Sequence, residues 1–333
     1  MPYSHKANLN ELSTNVGITD GYDYTDNDPY GVIESYFQFC QTNLSEECGK
    51  YHIQPARIYI RRMMTVNGRA GKAGKYYIIA INLGTIIELF RLFTDNWNIF
   101  EEESLAEFRP LSEKIDSNLD YLLFQLCMQF TFYHESAHLI QKSPIQQNWM
   151  QEKYMEQISE GDGYLPNQHI YEFDADIHGS AKAALHIIEY WERQEKDLQT
   201  AETLELLIAL GAAAVFSYFI YLMRNYSNLY YRAESHPHPL VRISYMVDNF
   251  IKVSEAKLYN QIKVDPSKVL RLALTISEEL FRHVGRDDVQ DFAKVFLQES
   301  EEIAKFINGT LIPQSLTKPE LVMNRDFNAE TGQ

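Results

Sequence analysis

The residues best equipped for chemistry are His134-Glu135-Ser136-Ala137-His138. On a helix, positions i and i+4 share a face, so His134 and His138 can aim ring nitrogens at one metal ion. Glu135 sits about 100° further round, where its carboxylate can reach a metal-bound water without ligating the metal. Two imidazoles and an open position suit Zn²⁺. The apolar run ahead of the motif, NLDYLLFQLCMQFTFY, would bury it, and a buried imidazole pair needs a partner. The competing reading is a pair of core histidines bonded to backbone.

A catalytic zinc needs a third protein ligand. Gln141 and Pro144 stand where the metzincin pattern requires Gly and His. Downstream, Glu172-Phe173-Asp174-Ala175-Asp176 offers carboxylates at i and i+4 on one helix face. Glu172 is the expected third ligand. Asp176, one turn on, is expected to accept the spare N–H of a zinc imidazole, that of His134, which fixes the tautomer. Asp174 points away from that face. His169, His178 and His186 are rival ligands. The third constellation is Ser235-His236-Pro237-His238-Pro239-Leu240-Val241-Arg242-Ile243. Each proline pushes the residue before it out of helical angles. A loop histidine held in this way can donate to a developing oxyanion or cap the metal as a fourth ligand; the alternative is a turn with exposed imidazoles. Arg242 can pair with a site carboxylate or with a surface acid.

The elements that must position these groups are mostly helical. Helical patterns cover 118–142, 168–196, 203–227, 238–258, 266–284 and 286–308, with starts near Ser117, Asp265 and Asp287. A shorter amphipathic helix carries Val32, Ile33, Tyr36, Phe37 and Cys40, and Gly84 opens another, TIIELFRLF, to about Trp97. Residues 57–82 read as a β-hairpin: ARIYIRRMMTV and KYYIIAIN are strand-like runs around the turn-rich NGRAGKAG. The strand Tyr76–Asn82 is a candidate to lie along a cleft and pair with substrate backbone. Residues 1–30 read as a loose, flexible arm and 310–333 as an irregular tail. The 18 uncharged positions 206–223 meet the lower limit for a membrane span. A core helix is the favoured reading, because a crossing would put the flanking motifs on opposite sides of a bilayer.

Lys plus Arg number 30 against 46 Asp plus Glu, a net charge of −16. That balance argues against nucleic acid, which demands a basic face, and against anionic lipid. Three cysteines with no C-x-x-C pair fit a reducing compartment. No apolar run follows a basic start at the N-terminus, so the expected location is cytoplasmic.

The order HESAH, EFDAD, an apolar Ala-rich helix, then HPHPLVRI resembles the gluzincin metallopeptidases of the HtpX and CAAX-protease type. The nearer likeness is to the Lit phage-exclusion peptidase family, in the short spacing of the first two motifs and the strand-to-helix entry YYIIAINLGTIIELF. It covers about residues 76–250. The resemblance implies a mainly α fold with a small β-hairpin or sheet and a zincin-like core, here 31–258. A helical region follows at 259–309. It implies an intracellular zinc endopeptidase with ligands His134, His138 and Glu172, Glu135 as base, and a protein substrate, with phage defence through cleavage of a host translation factor as the associated role. The doubled His-Pro leaves His236 and His238 as alternatives, and counting back from Arg242 favours His236. An unrestrained cytosolic protease would harm its cell, so low basal activity and an activating partner are expected. A zinc-binding scaffold that cuts nothing, and a membrane-embedded protease using 206–223, are the alternatives.

Overall fold

The computed structural model describes residues 4–144, 149–152, 164–222, 229–232, 234, 236–259, 261–286 and 291–331. Ser235, Asp287 and positions 223–227 of the expected third long helix lie outside the described residues. The chain runs α1 (His5–Val16), α2 (Val32–Lys50), β1 (Ala56–Arg61), β2 (Gly68–Ala73), β3 (Tyr76–Asn82), α3 (Leu83–Thr94) and the single-turn α4 (Arg109–Ser112). It continues through α5 (Leu119–Lys142), β4 (Trp149–Glu152), α6 (Pro166–Arg193), α7 (Ala201–Leu222), α8 (Pro239–Lys257), α9 (Pro266–His283), α10 (Phe292–Phe306), α11 (Ile312–Ser315) and α12 (Val322–Thr331). The protein is mainly helical with one small sheet.

Helix α7 explains the arrangement of the others. A helix apolar on every side must be surrounded, and every residue from Thr203 to Ile220 is buried. Helices α5, α6, α8 and α9 pack around it. The uncharged stretch expected either to span or to form a core is therefore enclosed by its own chain.

The sheet departs from the expected hairpin. Its order is β1-β3-β2-β4, with β1 parallel to β3 and the other two pairings antiparallel. The segment read as a turn, NGRAGKAG, is largely strand β2, and the reversal is at Gly74, with φ +57°. The strand signal is weak because β2 lies against α5. A Cβ added at Gly68 would stand 3.0 Å from Glu135 Oε1, so a small residue is required there and the β-branched signature is lost. Strand β3 is paired on both sides. Its backbone has no free edge, which removes it as the strand that pairs with substrate.

Both termini are more ordered than their composition suggests. Residues expected as a loose arm form α1, which Ser4 caps. The His5 ring accepts from the Ile60 N–H at 3.0 Å and Asn8 donates to the Ile58 carbonyl at 3.1 Å, so α1 blocks the outer edge of β1. Only His5, Asn8 and Leu12 of this helix are buried, too few apolar residues to register as a period. Burial pushes the His5 pKa down to about 4, which keeps the ring neutral and able to accept. The expected irregular tail is a π-turn, α11 and α12. Helical angles run unbroken from α10 through the π-turn into α11, and Pro313 lies directly after that turn.

A buried ion pair joins α2 to α6. Glu47 meets His178 Nε2 at 3.1 Å and the Lys182 ammonium. Burial raises its pKa, but the His178 hydrogen bond and the nearby Lys182 ammonium bring it down to about 2 from 4.5. A depressed carboxyl pKa adds stability above the unfolded value that is lost as pH falls through the folded one. The Tm gap between the protein and Glu47→Gln is therefore expected to be constant above about pH 5 and to close between about pH 4.5 and 2. Thermal melts of both forms across that range measure it.

Candidate metal centre

Helices α5 and α6 meet at Gly179. A Cβ there would fall 2.9 Å from the Phe130 ring and 3.4 Å from the His134 backbone nitrogen. The missing side chain lets the two helices close until their polar faces touch. Three groups then converge in full burial: His134, His138 and Glu172 are each 0% exposed. The Nε2 atoms of the two rings are 3.1 Å apart. Glu172 Oε2 is 3.4 Å from His134 Nε2, and Oε1 is 3.3 Å from His138 Nε2. Ligands at ~2.0–2.1 Å in a tetrahedron stand about 3.3–3.4 Å from one another, so this spacing fits zinc.

Proton placement supports the same reading. His134 Nδ1 faces Asp176 Oδ1 at 2.9 Å, a carboxylate that can only accept, so the ring proton is on Nδ1. His138 Nδ1 faces Gln141 Oε1 at 2.9 Å. The Gln141 amide donates to the Tyr171 carbonyl at 2.9 Å and to Asp174 at 2.8 Å. Its oxygen must then be the atom turned to His138. Both Nε2 lone pairs therefore aim at each other and at a carboxylate. Three groups with acceptor atoms converging away from water could hold a metal ion between them. Burial lowers the His138 pKa, but Glu172 beside it overrides this and raises it. Burial likewise raises that of Glu172, and His236 and His138 pull it well below the ordinary range. The cluster attracts positive charge. Among the described residues, one further group has metal-like spacing, Glu102, Glu279 and His283. There Arg282 already pairs with both glutamates.

Asp176 is the hub beneath the cluster. Besides His134 it accepts from Arg242 Nε at 2.8 Å, from Arg242 Nη2 at 2.7 Å and from the Tyr245 hydroxyl at 2.6 Å. Burial opposes its charge, but Arg242 and His134 hold its pKa at about 2. Arg242 also lies over the Phe219 ring, 3.6 Å from its centre, and reaches Glu172 Oε2 at 3.5 Å. The structure thus brings Asp176 and Arg242 together at the ligands.

The remaining candidates separate. His236 Nε2 is 3.5 Å from Glu172 Oε1, its side chain 14% exposed. His238 instead caps α8, its Nδ1 accepting from the Leu240 N–H at 3.1 Å, with burial lowering its pKa to about 3. Of the two, His236 is the one beside Glu172. Of the rival ligands, His169 bonds the Glu234 carbonyl at 2.7 Å, His178 pairs with Glu47, and His186 lies 3.0 Å from the Tyr133 hydroxyl. None joins the cluster. Glu135 is 1% exposed against Gly68. Sequence reasoning missed Gln141 and Tyr245, each three residues beyond a recognised group on the same helix face, and this spacing is the signal that finds them.

No protein-family profile, curated protein or solved structure matches the chain.

Asp176→Asn should cost zinc affinity about 10–100-fold, as loss of such supporting bonds does. It should also destabilise the metal-free fold by about 3–5 kcal/mol, because Arg242 is left buried without its counter-charge. Zinc titration against a chromophoric chelator and urea unfolding of the metal-free protein read the two effects separately.

Proposed function

We propose that the chain is a zinc-dependent endopeptidase of the gluzincin type, with His134, His138 and Glu172 as ligands and Glu135 as general base. The observation that carries this is the meeting of three acceptor atoms at tetrahedral spacing, with a further carboxylate next to the second ligand. A structural zinc site closes with four protein ligands and needs no acid beside it. A zinc ion held here would lower the pKa of water toward about 7 and polarise a peptide carbonyl. Glu135 takes the proton of the attacking water and returns it to the leaving amine. Asp176 and Gln141 hold the two imidazoles with their Nε2 lone pairs toward the centre. His236, next to Glu172 and partly exposed, is the donor suited to the developing oxyanion. A cytoplasmic protein is the substrate class consistent with the acidic charge and the cysteine usage, and a host protein cleaved in phage defence falls within it.

The burial of Glu135 and of all three ligands among the described residues favours a latent state, because a substrate carbonyl must come into contact with the metal and the base. Opening is proposed at the His236 side. The same burial fits a second reading, a zinc-binding scaffold without peptidase activity. Glu135→Gln separates the two. As an enzyme it should keep zinc stoichiometry and lose all cleavage, read by terminal labelling of the proteome in cells expressing either form. If both forms give the same new protein termini, or neither gives any under every stimulus that activates relatives of this motif order, the scaffold reading stands. His236→Ala is expected to change basal cleavage; unchanged cleavage removes it as donor and as latch.

A further inference from the structure

His138 stands at the end of a hydrogen-bonded chain that runs to the C-terminal segment. Its Nδ1–H donates to Gln141 Oε1 at 2.9 Å, and the Gln141 amide donates to Asp174 Oδ2 at 2.8 Å. Asp174 is 0% exposed and accepts the backbone N–H of Val322 at 2.8 Å and of Met323 at 3.0 Å. These are the first N–H groups of α12, which its own preceding residue, Leu321, cannot cap by side chain. An aspartate of the ligand-bearing helix α6 therefore caps a helix nearly 150 residues downstream. A second tie lies on α5 itself. Arg325 Nη1 donates to the Ile140 carbonyl at 2.6 Å and to Ser143 Oγ at 2.8 Å, at the end of the helix that carries both histidines. A third fixes α12 to α2, through the Tyr51 hydroxyl and Lys50 to Asp326 Oδ1 at 2.6 and 2.7 Å.

We infer that the C-terminal strap, Leu321–Asp326, is a positioning part of the metal centre, holding His138 through Asp174 and Gln141. The inference rests on the zinc-site reading. His134 is oriented by Asp176, Arg242 and Tyr245 from within the core, whereas His138 depends on a terminal segment. Any event that lifts the strap removes two donors from Asp174 and frees it to turn, leaving the Gln141 amide with the Tyr171 carbonyl as its one remaining acceptor of the two and so loosening the acceptor oxygen held toward His138. The two imidazoles are thus held independently, and the second can be loosened without disturbing the first.

Val322→Pro tests this at a distance from the metal. Proline at the first position of a helix is tolerated; here it deletes the N–H and exchanges the buried Val322 side chain for a ring of similar size. Gln141→Leu removes the middle link, keeping approximate volume. Both are compared with the unaltered full-length chain by competitive zinc titration, by the visible spectrum of the Co²⁺-loaded protein and by the Tm of the metal-free form. The expected result is a zinc affinity lowered about 10–100-fold in Gln141→Leu, a smaller loss in the same direction in Val322→Pro, and a shifted Co²⁺ spectrum in both. A Tm of the metal-free form close to the parent's should accompany Val322→Pro. If the unaltered chain takes up zinc and both variants match its affinity and Co²⁺ spectrum, the strap has no part in the site and only this inference falls. Failure of the unaltered chain to take up Zn²⁺ or Co²⁺ overturns both the inference and the zinc-site reading. If Val322→Pro fails to fold, Met323→Ala, which leaves the backbone donors in place and should bind zinc as the parent does, controls for side-chain loss. The double variant Arg325→Ala, Asp326→Ala, which cuts the strap's ties to α5 and α2 and leaves Asp174 and Gln141 in place, then decides: lowered zinc affinity supports the inference and parental affinity overturns it.

Discussion

The close approach of α5 and α6 at Gly179 governs the rest of the molecule. Two helices with ordinary side chains at their crossing pack 8–10 Å apart. At that distance an imidazole and a carboxylate from opposite helices can meet only where the crossing itself is stripped of bulk. Gly179 supplies that gap on one side of α5, and Gly68 supplies it on the other, where β2 presses on Glu135. The helix bearing both histidines is thus clamped between a strand and a helix. Its polar groups are forced into the interior, where each must find a partner or be paid for in lost stability.

That confinement sets an electrostatic problem whose solution dictates the surrounding residues. Glu135, Glu172, Asp174 and Asp176 are all buried within two turns of one another on α5 and α6, and Arg242 is the buried guanidinium that answers them. One guanidinium does not balance four carboxylates in a medium of low dielectric. Asp176 takes Arg242 and Tyr245; Asp174 takes two backbone N–H groups and an amide. Glu172 is left facing imidazoles and the more distant His236 and Arg242, at 3.3–3.5 Å. A divalent cation held at the centre would offset most of the remaining charge. The second sphere can therefore be understood as the set of groups needed so that Glu172 alone among the α6 carboxylates stays available to a metal.

What could be seen beforehand followed from periodicity, and what could not followed from contacts distant in sequence. His134, His138, Glu172 and Asp176 were visible because i, i+4 spacing on a helix is a local rule. Arg242 was visible as a pairing group, but its partner was fixed only by the packing of α8 on α6. Helix α7 was legible from its unbroken apolar run. Strand β2 was not, because its Gly and Ala content, which at Gly68 matches the close approach of Glu135 on α5, is also the signature of a turn. Helix α1 was obscured because its buried face is polar: His5 and Asn8 serve the β1 backbone rather than the core. The role of Asp174 was hidden for a similar reason. On the side of α6 away from the ligand pair it meets α12, and nothing in the local pattern of 172–176 announces a partner at 322.

The sheet bears on how a substrate could reach Glu135. An extended peptide bound by a sheet needs an edge with unpaired N–H and C=O groups. The outer edge of β1 is occupied by α1, by the Tyr22 N–H to Ile60 carbonyl bond and by the Gly21–Arg61 bridge. Strand β3 is interior. Strand β2 is the one in contact with Glu135, and its far side is matched by β4 over Arg69–Lys72. A peptide cannot pair with β2 along those residues while β4 does so. Pairing along the sheet therefore requires β4 to leave. If the proposed metal centre is catalytic, the rearrangement it needs lies in the chain around it and not in the three ligand side chains, whose polar atoms already stand 3.1–3.4 Å from one another.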